Sequence, residues 1–238
     1  MNNLPYTETA QNTMLSAVEK LFVKSGTIVA ARKWNGGKLY EIDIHLPKVD
    51  FAKWKTAQSI KCRISALHYT DYTPATWDIE NKICTLYIDT SHSGQGSLWA
   101  AEQRKGNVFH YLKIEMAKHF PFQNKHLVFL GDQTSIGHFC ALQQLADDNA
   151  MISGIVSFND LQTADEFVHN CAWLPLEAVA NDQTIFRQTE NLITRHQSEK
   201  EKFVFYIVGG AGLVVQLRKL LKSHGVDGRQ IKSYGFWH

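Results

Sequence analysis

The strongest constraint in this sequence is a change of hydrophobic period near Phe120-Pro121. Before it, apolar and polar residues alternate: Tyr40, Ile42, Ile44 and Leu46 are interleaved with Glu41, Asp43 and His45. The same pattern returns at Ile60, Cys62 and Ile64, at Cys84, Leu86 and Ile88, and at Val108, His110, Leu112 and Ile114. Alternation of this kind turns one face of a strand to a core and the other to water. Asn35-Gly36-Gly37 ahead of the first run is a hairpin signal. Successive short strands predict an antiparallel, six-stranded β-barrel over residues 27–120. An amphipathic helix over about Gln11 to Lys24 leads into it as residues 1–26, with Met14, Leu15, Val18, Leu21 and Phe22 on one face and Gly26 as its C-cap. A short helix, Gly96 to Gln103, interrupts the strands and ends at Gly106.

After Pro121 apolar strands alternate with helices. His126 to Gly131 reads as a buried strand and Ile136 to Ala146 as a helix. Met151 to Phe158 is a second strand, Cys171 to Leu174 a third, and Gln183 to His196 a helix. Phe203 to Val208, Leu213 to Leu221 and Gln230 to Trp237 complete the set as strand, helix, strand. The pattern predicts a Rossmann-like, five-stranded parallel α/β domain over 121–238, so the fold class is β + α/β.

Charge excludes more than it selects. The chain has 238 residues, with 25 Lys+Arg against 23 Asp+Glu, a net charge of +2. That balance is too small to argue by itself for a nucleic-acid or anionic-membrane partner, and none is expected. Residues 1–120 carry 15 basic and 11 acidic side chains, a difference of +4, and the remainder 10 and 12, a difference of −2. No apolar run reaches membrane-spanning length. Cys62, Cys84, Cys140 and Cys171 are scattered, without a CxxC pair or a leader-like start, so free thiols and a cytoplasmic location are expected. Histidine spacing places no two metal ligands on one helix face, and no metal site is expected.

Two loops fall at the carboxyl edge of the expected parallel sheet, where such folds bind ligands. Gly131-Asp132-Gln133-Thr134-Ser135-Ile136-Gly137 follows the first strand and Gly209-Gly210-Ala211-Gly212 the fourth. Their glycines let backbone approach a ligand, and each following helix offers free N–H groups. Neither loop is a GxGxxG fingerprint, and each taken alone is equally a plain turn.

Five elements then occur in order: Tyr72-Thr73-Pro74, Gly96-Ser97-Leu98-Trp99-Ala100, Gly131-Asp132-Gln133-Thr134, Gly209-Gly210-Ala211-Gly212 and Gly235-Phe236-Trp237. With them the chain, over about residues 27 to 238, resembles the siderophore-interacting protein family, FAD-binding ferric-siderophore reductases of the ferredoxin-reductase superfamily. The resemblance implies FAD on the barrel and NAD(P)H on the α/β domain. Tyr72 and Thr73 become the catalytic candidates, the ring lying against the isoalloxazine and the threonine hydrogen-bonding its N5. As ordinary strand formers, the same two residues need no ligand. Thr70, Ile88, His92, Gly96, Ser97, Leu98 and Trp237 join Tyr72 and Thr73 as FAD candidates. Gly96, Ser97 and Leu98 would offer helix N–H groups to the pyrophosphate. His92 is equally a solvated loop residue, Trp99 reads as packing, and Phe236 and Trp237 serve a core as well as a flavin shield. Gly131, Asp132, Thr134, Gly209, Gly210 and Gly212 are the NAD(P)H candidates.

One position departs from the family. Thr70 stands where relatives usually carry an arginine that neutralises the pyrophosphate, and neither Lys61 nor Arg63 is assigned as its replacement. The implied activity is reduction of a ferric siderophore to release Fe(II), with electrons from NAD(P)H or a ferredoxin. Lys53, Lys55 and Lys113 are weak candidates for attracting an anionic chelate, solvated surface being the plainer reading. A flavin enzyme with another acceptor and a siderophore-binding module without turnover are the alternatives.

Overall fold

The computed structural model describes residues 19–236. The first sheet contains β1 (Lys24–Lys33), β2 (Leu39–His45), β3 (Gln58–Ser65), β4 (His68–Tyr72), β5 (Pro74–Asp78), β6 (Ile83–Asp89) and β7 (Val108–Met116). Their spatial order is β4-β3-β7-β1-β2-β6-β5, and every pairing is antiparallel. The two strands at the ends of this order, β4 and β5, are separated in the chain by Thr73 alone. The sheet is therefore seven-stranded rather than six-stranded, and its ends are joined covalently at Thr73. Taken as one strand bent at that residue, β4 and β5 restore the expected six. Inward alternation fills the barrel with Ile42, Ile44, Ile60, Cys62, Cys84, Leu86 and Phe109.

The second sheet contains β8 (His126–Asp132), β9 (Ile152–Ser157), β10 (Glu177–Val179), β11 (Phe203–Gly209) and β12 (Ile231–Gly235), in order β10-β9-β8-β11-β12 and wholly parallel. The order reverses between β8 and β11, which is the kind of switch point at which open α/β sheets bind ligands. Three-residue apolar runs such as Val128, Phe129 and Leu130 are fully buried because helices cover both faces. In chain order the helices are α1 (Glu19–Phe22), α2 (Gln95–Glu102), α3 (Ile136–Leu145), α4 (Leu161–Asn170), α5 (Asp182–Arg195) and α6 (Ala211–Ser223).

Several expectations are corrected. The lead-in helix, as far as it is described, ends at Phe22, with Leu21 79% and Phe22 63% exposed; Met14, Leu15 and Val18 lie outside the described residues. Gly26 is not a C-cap but part of β1, where a Cβ would come within 2.5 Å of both His45 O and Leu46. The third parallel strand is Glu177–Val179; Cys171 to Leu174 is a turn whose Cys171 and Leu174 plug the core. Helix α4 was not expected, and it is capped by Asp160, whose carboxylate accepts from Thr163 N at 2.9 Å.

Helix α3 bridges the halves. Gln144 accepts from Trp77 N at 3.0 Å and donates to Trp77 O at 2.7 Å, pairing with β5 as another strand would. A Cβ on Gly137 would come within 3.0 Å of Thr73 O, so the first turn of α3 lies against the β4–β5 joint. All four cysteines are buried and unpaired, and their thiol pKa values are raised by burial. Among the described residues no helix is long and apolar enough to cross a membrane.

Candidate cofactor cleft between the two sheets

A cleft of about 370 Å³ opens at the β4–β5 joint, toward the small end of the usual ligand-site range. It is walled by Thr70, Tyr72 and Thr73 from the joint, Tyr87 and Asp89 from β6, and His92, Gly94, Gly96 and Ser97 from the approach to α2. Thr134, Gly137, His138 and Phe236 close it from the α/β half. Residues as far apart in the sequence as Thr70 and Phe236 thus line one cleft.

Tyr72 is backed by Trp99, the rings nearly parallel at 20° with centroids 6.2 Å apart, and Trp99 also packs on Phe109. Trp99 is packing. The Tyr72 hydroxyl presses on the start of α2, where a Cβ on Gly96 would lie 2.3 Å from it. Only glycine leaves both the ring in place and the backbone N–H free. Helix α2 has Gly94 at its N-cap without a side-chain cap, and Leu98 N bonds Gly94 O at 3.1 Å. The N–H groups of Gln95, Gly96 and Ser97 meet no acceptor among the described residues. Three free donors at a helix start favour an anion.

Ile88 has its side chain in the barrel core at 1% exposure, and Leu98 turns its side chain to solvent while its N–H closes the helix. Neither lines the cleft, because strand alternation points Ile88 inward and helical rotation points Leu98 away. Trp237 lies outside the described residues. His92 lines the cleft with Nε2 3.3 Å from Ser97 Oγ and Nδ1 3.4 Å from Asp89.

The cleft lining contains no lysine or arginine. Lys61 is paired with Asp71 at 2.9 Å, and Arg63 is buried against Glu19 at 2.8 Å. Neither takes the place of an arginine at position 70. Lys53 and Lys113 pair locally with Asp50 and Glu115 on the surface.

The second loop pair meets at Asp132. Its Oδ2 accepts from Gly210 N at 2.7 Å, and its Oδ1 accepts from Thr134 N at 2.9 Å and from the Thr134 hydroxyl. Burial raises its pKa, with these hydrogen bonds opposing the rise. Gly209 adopts φ +136°, and a Cβ there would lie 2.6 Å from the Asp132 carboxylate. Asp132 ties the two loops together at the switch point. Gly131 packs against Val208 O, whereas Gly212 borders open space at the start of α6. Of the NAD(P)H candidates, only Thr134 reaches the cleft wall.

Spacing gave no hint of Gln133 and His138. Gln133 is buried and joins the halves: Nε2 donates to Asp89 at 2.7 Å and Ser91 at 3.1 Å, and Oε1 accepts from Asn159 N at 3.1 Å. His138 stands behind Thr73, with Nδ1 3.5 Å from its hydroxyl. No potential cation cluster of three or more His, Cys, Asp or Glu occurs among the described residues.

Residues 124–238 match the family model of the siderophore-interacting proteins. No curated protein matches the chain. Among solved structures, the siderophore-interacting protein from Acinetobacter baumannii superposes with a TM-score of 0.69 at 11% identity, over 90% of each chain. A siderophore utilization protein from T. fusca gives 0.63 at 17% identity, over 91% of this chain and 92% of that one. The ferredoxin reductase in carbazole 1,9a-dioxygenase gives 0.73 at 14% identity, over 90% of this chain and 69% of that one. The second half of the chain thus carries the siderophore-interacting protein pattern in its sequence, and the described residues as a whole carry the fold of that family's solved structures and of ferredoxin reductases.

Proposed function

We propose that the protein is an FAD-dependent oxidoreductase that reduces ferric siderophores, with the barrel of residues 27–120 binding FAD and residues 121–238 meeting the electron donor. The carrying observation is the meeting of Thr70, Tyr72, Thr73, His92, Gly96, Ser97 and Thr134 in one cleft, with three unpaired helix N–H groups at its rim. Fold likeness supports the choice of cofactor, since one of the matching ferredoxin reductase structures is described as its FAD apo form.

The residues present fit a flavin. Tyr72, Tyr87 and Phe236 supply apolar ring surface, Thr73 and Thr134 supply hydroxyls, and the start of α2 supplies N–H donors for a pyrophosphate. Bound FAD would supply the conversion between two-electron and one-electron transfer. Tyr72 would support the ring face, with Trp99 holding Tyr72 in place. Thr73 would present its hydroxyl to N5. Gly96 would keep the N–H groups of α2 accessible, and Asp132 would hold the donor-side loops in register. NAD(P)H at Gly131, Asp132, Thr134, Gly209, Gly210 and Gly212, or a ferredoxin, would deliver the electrons. Fe(III) bound by hard oxygen donors loses much of its affinity on taking one electron, so reduction releases the iron to the cell interior.

Without a cation at position 70 the pyrophosphate loses a charge-assisted bond worth about 1.5–3 kcal/mol. FAD affinity is therefore expected to be one to two orders of magnitude weaker than with arginine there, and Thr70→Arg should tighten it. The test reconstitutes the protein with FAD and reduces it anaerobically with NADH, NADPH or reduced ferredoxin in turn. Fe(II) released from a ferric siderophore is then trapped by a chromogenic chelator. Turnover with another acceptor alone moves the activity to a different oxidoreductase class. Failure to bind FAD at all leaves a binding module in place of the enzyme.

A further inference from the structure

A buried polar series runs from the cleft wall into the interior. His138, on the first turn of α3, directs Nδ1 at Thr73 Oγ1, 3.5 Å away, and its Nε2 lies 2.9 Å from Nδ1 of His119. His119 sits on the connection between β7 and β8, and the two rings meet edge to face with centroids 5.0 Å apart. His138 is 1% and His119 6% exposed. Tyr234 stacks on His138 at 17°, and Tyr206 and Tyr234 both meet His119 edge-on. Apolar side chains would fill such an aromatic box without the desolvation cost of two imidazoles. What the imidazoles add is a hydrogen-bonded path that ends on a hydroxyl at the cleft.

We propose that His119, His138 and Thr73 form a proton relay between solvent, reached at the 6% exposed His119, and the cleft, serving one-electron steps of the redox group bound there. The proposal rests on the flavin reading, because the relay needs a proton acceptor at Thr73.

The geometry couples the two tautomers. The 2.9 Å contact between His119 Nδ1 and His138 Nε2 holds a single hydrogen. If His119 carries it on Nδ1, neutral His138 must carry its own on Nδ1, facing Thr73. If His138 carries it on Nε2, neutral His119 must carry its own on Nε2. Both rings thus hold hydrogen on the same-named nitrogen. In the first state one proton from solvent enters at His119 Nε2, the Nδ1 hydrogen passes to His138 Nε2, and that of His138 Nδ1 passes to Thr73 Oγ1. The threonine's own hydrogen then goes to the acceptor in the cleft. Each ring and the hydroxyl gains one hydrogen and loses one. The product is the second state, poised to carry a proton back out, and the electron travels separately with the one-electron partner.

Neutrality of both rings is what lets each donate and accept. Burial pushes His138 down to about 3 and His119 to about 4, with Lys232 adding to the depression of His119. Lys232, Tyr206 and Tyr234 face the pair from β11 and β12, while His68, Asp71, Asp89 and His92 share the cleft.

Nitrogen-15 histidine NMR of the flavin-free protein reads the pair directly. Both rings should be neutral at pH 7 with matching tautomers, and Thr73→Val should shift the His138 Nδ1 resonance. A protonated ring, mismatched tautomers, or a Thr73→Val spectrum with His138 unmoved overturns the relay. With FAD bound, His119→Gln should keep flavin affinity within twofold, because His119 lies outside the cleft lining. His119→Gln and His138→Gln should both slow anaerobic reoxidation of the reduced protein by ferricyanide about tenfold and alter its solvent deuterium isotope effect. Variants that reoxidise like the parent also overturn it. If the parent binds no FAD, the flavin reading falls, and the NMR measurement still decides whether the coupled pair exists.

Discussion

Position 96 is the most exacting single residue in the cleft. A methyl there would meet the Tyr72 hydroxyl at 2.3 Å, so Gly96→Ala must displace either the ring or the helix start. The variant is expected to cost about 1–3 kcal/mol of stability and most of the FAD affinity, read by chemical denaturation and flavin fluorescence quenching. Asp132→Asn keeps the shape but exchanges one acceptor oxygen for a donor, leaving the Gly210 N–H or the Thr134 pair unmatched. A loss of about 1–3 kcal/mol follows. Acid acts through the histidine pair. An unfolded chain protonates each ring as pH falls through 6.5, whereas the native protein waits until about 4 for His119 and about 3 for His138. Between those values the unfolded state binds more protons, so stability falls as pH drops below 6.5, at up to about 1.4 kcal/mol per pH unit per ring. The raised Asp132 pKa works the other way, over a window beginning at 3.8. Urea midpoints at pH 7 and pH 5 should differ, and His119→Gln should reduce the difference. At this scale sequence reading reached Tyr72, Thr73 and Gly96 through their local motifs. The His119–His138 contact was invisible because it joins a connection to a helix across 19 positions, with no shared periodicity.

Elements were legible where burial followed a simple period. Strands β2, β3 and β6 announced themselves by alternation, whereas β7 has its faces reversed from the expected phase: Val108 is 56% exposed, and Phe109 and Tyr111 turn to the core. Helix α4 did not, since Leu161 and Val168 are 70% and 55% exposed while Thr163, Ala164 and Phe167 supply its buried side. Its clearest signal was the cap, Asp160, which also accepts from Lys38 of the barrel half at 2.8 Å. Asp160→Ala should therefore remove a cap and an ion pair together, lowering stability by about 1–2 kcal/mol, with the largest gain in amide exchange along α4. Strand β10 was misplaced because Cys171 and Leu174 are apolar core plugs in a turn, while the real edge strand begins with the exposed Glu177. Strands β4 and β5 were read only as a motif, since neither alternates long enough to stand out.

Across the whole molecule the two-sheet plan followed from one change of period, yet the polar seam that joins the sheets did not. Gln133 reaches Asp89 and Ser91, Asn159 reaches Ser91, Lys38 reaches Asp160, and Glu166 accepts from Gly36 N at 2.6 Å. These are contacts between loops and surfaces whose composition looks solvated in one dimension. Gln133→Ala strips three hydrogen bonds from this seam and should separate the unfolding of the two sheets. A calorimetric trace with two resolved transitions, in place of one, would be the sign. Thr73 gives this architecture a further property. As the single residue that sews the two end strands of the sheet, β4 and β5, to each other, it is the covalent stitch across the barrel's unpaired side. A molecule gripping that residue acts as a rivet through the stitch, so occupancy of the cleft should register as resistance of the whole barrel to heat and proteolysis.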